Sequence, residues 1–223
     1  MCVSIEITNF YSNYGTYLPV IIIFGYFAVA AGLKYIDEAY DRLTLDKKTA
    51  KIIAPIIILI SIAVLMVDNF STIFLTAYLV AVIIQKKIDI RIYKISLIIF
   101  VFLYVALELY KPLLSSIVLF MTFLLLILFD EQANAVADHY FLYRDIKLSP
   151  LLAYIFKFRI LVLIGAIILF FMNAISQLYV FAILAWTFGY NLLIFISDNE
   201  RMPKKMFSQR KHASKLKWSI KDA

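Results

Sequence analysis

Residues 112–138 read PLLSSIVLFMTFLLLILFDEQANAVAD. From Pro112 to Phe129 there is no charge, and then Asp130, Glu131, Asn134 and Asp138 follow at once. An uncharged apolar run of about 18 residues or more reads as a membrane-spanning helix. Proline suits its first turn, because its missing N–H has no partner there. Carboxylates at a bilayer boundary are costly unless they face water, a metal or a partner. Residues 130, 134 and 138 share one face of a helix over two turns. The same arrangement occurs near the N-terminus, where an apolar stretch at about 17–36 runs into Asp37, Glu38 and Asp41.

Working outward, five more apolar stretches stand at about 52–67, 70–85, 92–110, 151–172 and 176–197. The chain has 223 residues, of which 64% are hydrophobic. That is well above the roughly 45–50% of a soluble domain, so lipid must act as solvent for much of the excess. Lipid also requires each backbone polar group to be paired internally, and these runs are too long and too unalternating for barrel strands. The expected fold class is all-α, a polytopic membrane bundle of about seven transmembrane helices. Residues 1–200 would form one helical domain and residues 201–223 a basic cytoplasmic tail. Asp68 and Asn69 mark a tight hairpin between the second and third stretches.

The basic residues give the orientation. Lys34, Arg42, Lys47, Lys48 and Lys51 flank the first connection, and Lys86, Lys87, Arg91 and Lys94 the third. Arg144, Lys147, Lys157 and Arg159 flank the fifth, and the tail carries eight more from Arg201 to Lys221. With seven crossings, all 22 Lys and Arg residues except Lys111 fall on one side. The positive-inside rule makes that side cytoplasmic and puts the N-terminus outside, so the expected location is a multi-pass cell-membrane protein. The first 16 residues contain no Lys or Arg, so the first span reads as a retained helix rather than a cleaved signal. A basic tail beside such a bundle points to the lipid bilayer and not to nucleic acid. Cys2 is the only cysteine, which excludes an intrachain disulfide and a zinc site of two or more cysteines within the chain.

Both acidic clusters therefore lie at the same, cytoplasmic end. Mg²⁺ takes carboxylates, waters and phosphate oxygens, so two facing carboxylate pairs suit a few such ions against a diphosphate. Tyr35, Tyr40, Tyr140 and Tyr143 flank the clusters; they suit either a cation-facing wall or an interfacial aromatic belt. The plainer reading of the acids is that they end membrane helices where these reach water.

The pattern resembles the UbiA superfamily of intramembrane prenyltransferases, in which NxxxDxxxD and DxxxD motifs on the cytoplasmic side are separated by four helices. Here the two segments are LKYIDEAYD, Leu33 to Asp41, and DEQANAVAD, Asp130 to Asp138, with four expected helices between them. Leu33 replaces the family's Asn, Asn134 replaces the second acid of a DxxxD begun at Asp130, and seven spans replace the usual nine. The resemblance implies Mg²⁺ as cofactor, held by Asp37, Asp41, Asp130 and Asp138. It implies prenyl diphosphate as a partner, gripped by Arg42, Asn134, Arg144 and Lys147, with transfer of the prenyl group to a lipid or aromatic acceptor. The alternative is a non-enzymatic multispan protein, a small transporter or structural subunit. Walker A, GxSxG and HExxH motifs are absent.

Overall fold

A computed structural model describes residues 17–42, 45–85, 98, 101, 102, 105, 116–143 and 149–197. Every extended element among the described residues is a helix. In chain order these are α1 (Leu18–Asp37), α2 (Lys47–Val67), α3 (Asn69–Ile84), α4 (Ile117–Tyr143), α5 (Pro150–Lys157), α6 (Leu161–Phe171) and α7 (Gln177–Ser197). A π-helical turn, Glu38–Arg42, follows α1 directly. The apolar stretch expected at 92–110 and the basic tail lie outside the described residues, a few positions of the former excepted.

Four described helices are long and apolar enough to cross a membrane, or five if α5 and α6 count as one bent span. Helix α3, the expected stretch 70–85, has 16 residues, short of the roughly 20 that span a bilayer. Large apolar side chains point away from the bundle, among them Phe24, Leu59, Val118, Phe129 and Phe195, each about two-thirds exposed. Such an outer surface is adapted to lipid.

Local chemistry sets the helix limits. Asp46 caps α2, accepting the Thr49 N–H at 2.9 Å and the Thr49 hydroxyl at 2.8 Å. These hydrogen bonds hold its carboxyl below the ordinary range. Asp68 ends α2 and caps α3, accepting from Ser71 N at 2.7 Å and Ser71 Oγ at 2.8 Å. Tyr179 Oη donates to the same carboxylate at 3.1 Å and so joins α7 to the hairpin.

Helix α4 runs past the apolar stretch that closes at Phe129 and on through the acidic cluster to Tyr143, so residues 130, 134 and 138 are helical, as their spacing implies. The stretch 151–172 departs from expectation. It is two helices, α5 and α6, bent by 85°. The break falls beside Lys157 and Arg159, the two charges within the run.

The interior is aromatic. Tyr26 of α1 stacks on Phe74 at 5.4 Å, and Phe70 stacks on Tyr179 at 3.9 Å. Phe123 meets Phe70 and Phe74 edge-on, and Trp186 meets Phe74 and Tyr78 likewise. In lipid, water exclusion does not drive helices together, and close packing must. Gly32 lets α1 lie against Ile57 of α2, and Gly189 brings α7 against the Phe27 backbone. A side chain at either position would collide with what it faces. This packing fixes the ends of α1, α4 and α7 relative to one another.

Candidate functional site

At the C-terminal end of α1, Lys34 is buried among partners from its own helix. Its Nζ lies 2.8 Å from Asp37 Oδ2 and 2.8 Å from Glu38 Oε1. The spacings of three and four residues bring these groups together on one helical face. The Glu38 side chain is fully buried, whereas that of Asp37 is 37% exposed. Ser197, the last residue of α7, donates its hydroxyl to Glu38 Oε2 at 2.9 Å. The first and last described helices thus meet through one carboxylate.

Helix α4 brings Asp130 and Glu131. Asp130 is buried, and its Oδ1 accepts the Leu161 N–H at 3.2 Å. It therefore caps the start of α6 from another helix, where Ile160 provides no side-chain cap of its own. Glu131 pairs with Arg159 Nη1, and each side chain is only 12% exposed.

Arg159 sits in the break between α5 and α6. The Arg159 N–H bonds the Phe156 carbonyl and the Ile160 N–H bonds the Ile155 carbonyl, which together form a Schellman motif. The motif needs a left-handed residue, and Arg159 has φ 52°. Asn191 of α7 donates its Nδ2 to the Phe158 carbonyl at 2.7 Å and to the Thr187 carbonyl at 2.9 Å. The guanidinium lies over the Tyr190 ring, 4.4 Å from its centroid, and Lys34 Nζ is 5.1 Å from the same centroid. Tyr78 of α3, Asp130 of α4 and Asp37 of α1 all lie close enough to act on the Arg159 charge.

The expected site residues are distributed as follows. Asp37 and Asp130 share an electrostatic neighbour in Arg159. Asn134 lies one turn beyond Asp130 on α4 and is half-buried. Asp41 and Arg42 have their backbone in the π-turn, and Asp138 has its backbone in α4. The side chains of these three lie outside the described part, and Arg144 and Lys147 lie outside the described residues entirely. The π-turn changes one inference: i, i+4 spacing no longer aligns residues as it does in an α-helix, because the repeat there lengthens toward five.

The donors suit a hard cation in kind, since Asp37, Glu38, Asp130 and Glu131 offer only oxygens. They already carry internal counter-charges: Lys34 on Asp37 and Glu38, and Arg159 on Glu131. Among the described residues no three His, Cys, Asp or Glu groups are arranged to hold a metal. Asp37 is the carboxylate with the most open approach, while Glu38 is sealed in.

Lys34, Tyr78, Arg159, Tyr190, Asn191 and Ser197 were not among the expected site residues. Lys34 is legible from its three- and four-residue spacing to Asp37 and Glu38, and Arg159 from being a charge inside an apolar run. The contributions of Tyr190 and Ser197 depend on tertiary packing and have no local signature. No known protein family, curated protein or solved structure matches the chain.

Proposed function

We propose that this protein is a membrane-embedded, Mg²⁺-dependent prenyltransferase related to the UbiA superfamily. It transfers a prenyl group from a prenyl diphosphate to a lipid or aromatic acceptor. In this reading the chain crosses the cell membrane seven times, with the N-terminus outside and the C-terminus in the cytoplasm. The observation that carries the proposal is that the two acidic segments meet around one ring: Lys34, paired with Asp37 of α1, and Arg159, paired with Glu131 of α4 beside Asp130, both lie against Tyr190. Asp37 and Asp130 would hold the metal, joined by Asp41 and Asp138 from the sequence pattern. When bound, Mg²⁺ neutralises charge on the departing diphosphate. Arg42, Asn134, Arg144 and Lys147 grip the diphosphate oxygens. The Glu38–Ser197 hydrogen bond keeps the ends of α1 and α7 in register beside the site.

A small transporter is the second reading. The 85° break between α5 and α6 favours it, because broken helices build substrate sites in secondary transporters. Calorimetric titration of farnesyl diphosphate into purified protein, with and without Mg²⁺, separates the two. Asp37→Asn and Asp130→Asn are expected to lose Mg²⁺-dependent binding, because the amide keeps the shape but not the anionic ligand. Lys211→Ala in the tail should bind as wild type does. If well-folded wild type shows no Mg²⁺-dependent binding across several prenyl lengths, the enzyme reading fails and the transport reading takes its place.

A further inference from the structure

Lys34 and Arg159 are two buried cations on different elements, both within about 5 Å of the centroid of the Tyr190 ring. Arg159 is held in place from several directions. Its backbone closes the Schellman turn, Asn191 fixes the preceding carbonyl, and Tyr190 lies beneath its guanidinium. One part of its donor fork is used, since Nη1 meets Glu131. Its Nε is buried and makes no hydrogen bond among the described residues. A buried guanidinium N–H without an acceptor is costly, and a bound ion or ligand is one way to meet that cost. The start of α6 beside it is already taken by the Asp130 carboxylate, so the open donor edge of the guanidinium is what remains for a ligand. The partly exposed Asp37, on Lys34, connects the cluster to the surface.

We propose that Arg159 and Lys34, set around Tyr190, form a binding site for a phosphate-class anion that does not depend on a metal. The Nε edge of Arg159 offers two parallel donors to two oxygens of a phosphate, and Lys34 supplies the second positive charge. Glu131, Asp37 and Glu38 are the internal competitors, which hold the two cations while the ligand is away. The same chemistry fits a free phosphate compound and the head group of a phospholipid. The proposal draws on the same cluster as the prenyltransferase reading but does not rest on it.

The test uses the full chain in EDTA. Inorganic pyrophosphate is titrated calorimetrically against detergent-purified protein. In parallel, native mass spectrometry measures retention of phosphatidic acid against phosphatidylcholine. Binding of pyrophosphate identifies a soluble ligand, and selective retention of phosphatidic acid alone identifies a lipid head group. In either case Arg159→Lys should weaken binding about tenfold, because an ammonium keeps the charge but loses the fork. Glu131→Gln should tighten it severalfold by removing the competing carboxylate, an effect that a purely structural ion pair does not produce. Both variants preserve volume, and Glu131→Gln leaves the arginine in place, so the second result stands even if the first variant folds poorly. Failure of wild type to bind either probe in EDTA overturns the site, as does unchanged affinity in Glu131→Gln. Binding seen only when Mg²⁺ is added overturns this site and leaves the metal-dependent reading intact.

Discussion

Helices α5 and α6 end in the same way with different residues. Each closes in a Schellman motif: α5 through Arg159 and Ile160, α6 through Asn173 and Ala174. The left-handed residue has φ 52° in the first and 57° in the second. Asparagine is an ordinary choice for that position after glycine. Arginine is not, and its Cβ costs roughly 1–2 kcal/mol there. The turn at 172–174 is therefore explained by its backbone alone. The turn at 158–160 is not, and the difference lies in what the guanidinium touches: Glu131, Tyr190 and the charge of Asp130. A residue kept against its backbone preference is kept for its side chain.

Substituting glycine at both turns gives the strongest test of this contrast. Arg159→Gly relieves the backbone but leaves Glu131 without its guanidinium, and breaking a buried pair costs about 3–5 kcal/mol. The expected net loss is about 1–4 kcal/mol, read as a lower melting temperature of the detergent-solubilised protein. A stabilised Arg159→Gly would mean that the two turns are equivalent after all. Asn191→Leu acts on the same break from α7. It removes the donor to the Phe158 carbonyl and should cost about 1–2 kcal/mol by the same measurement, with accelerated proteolysis between α5 and α6. Asn173→Gly should be the mildest, within about 0.5 kcal/mol of wild type, because glycine meets the same backbone demand. A loss at Asn173 as large as that at Arg159 would remove the distinction.

The sequence conveys the broad plan because lipid imposes it. The charge-free run before Asp130 had to be a helix, and the hairpin at Asp68 follows from two polar residues between apolar stretches. The end shared by the acidic clusters was legible for the same reason, since Lys and Arg mark a side of the membrane. A carboxylate after an apolar run ordinarily signals water, which is the plainer reading of Asp130. Asp130 instead lies in a buried position, where the first N–H of α6 meets it. The break at Arg159 has a cue in the sequence, Lys157 and Arg159 inside the stretch 151–172, but charges near a helix end read equally well as the flank of the fifth connection. The π-turn after Asp37 has no comparable signal, because the residues Glu38–Arg42 are compatible with an ordinary helix.

The hydrogen bonds that satisfy the break have a consequence for how the chain is made. Leu161 finds its acceptor on Asp130, which has already left the ribosome. Phe158 must wait for Asn191, 33 residues later in synthesis. Glu38 waits longer still, for Ser197, 159 residues further on. Until α7 is inserted, a buried carboxylate at the end of the first helix and a bare carbonyl in the broken span both lack these donors. This polar network is therefore completed by α7: a chain arrested before residue 191 should leave both groups without these partners.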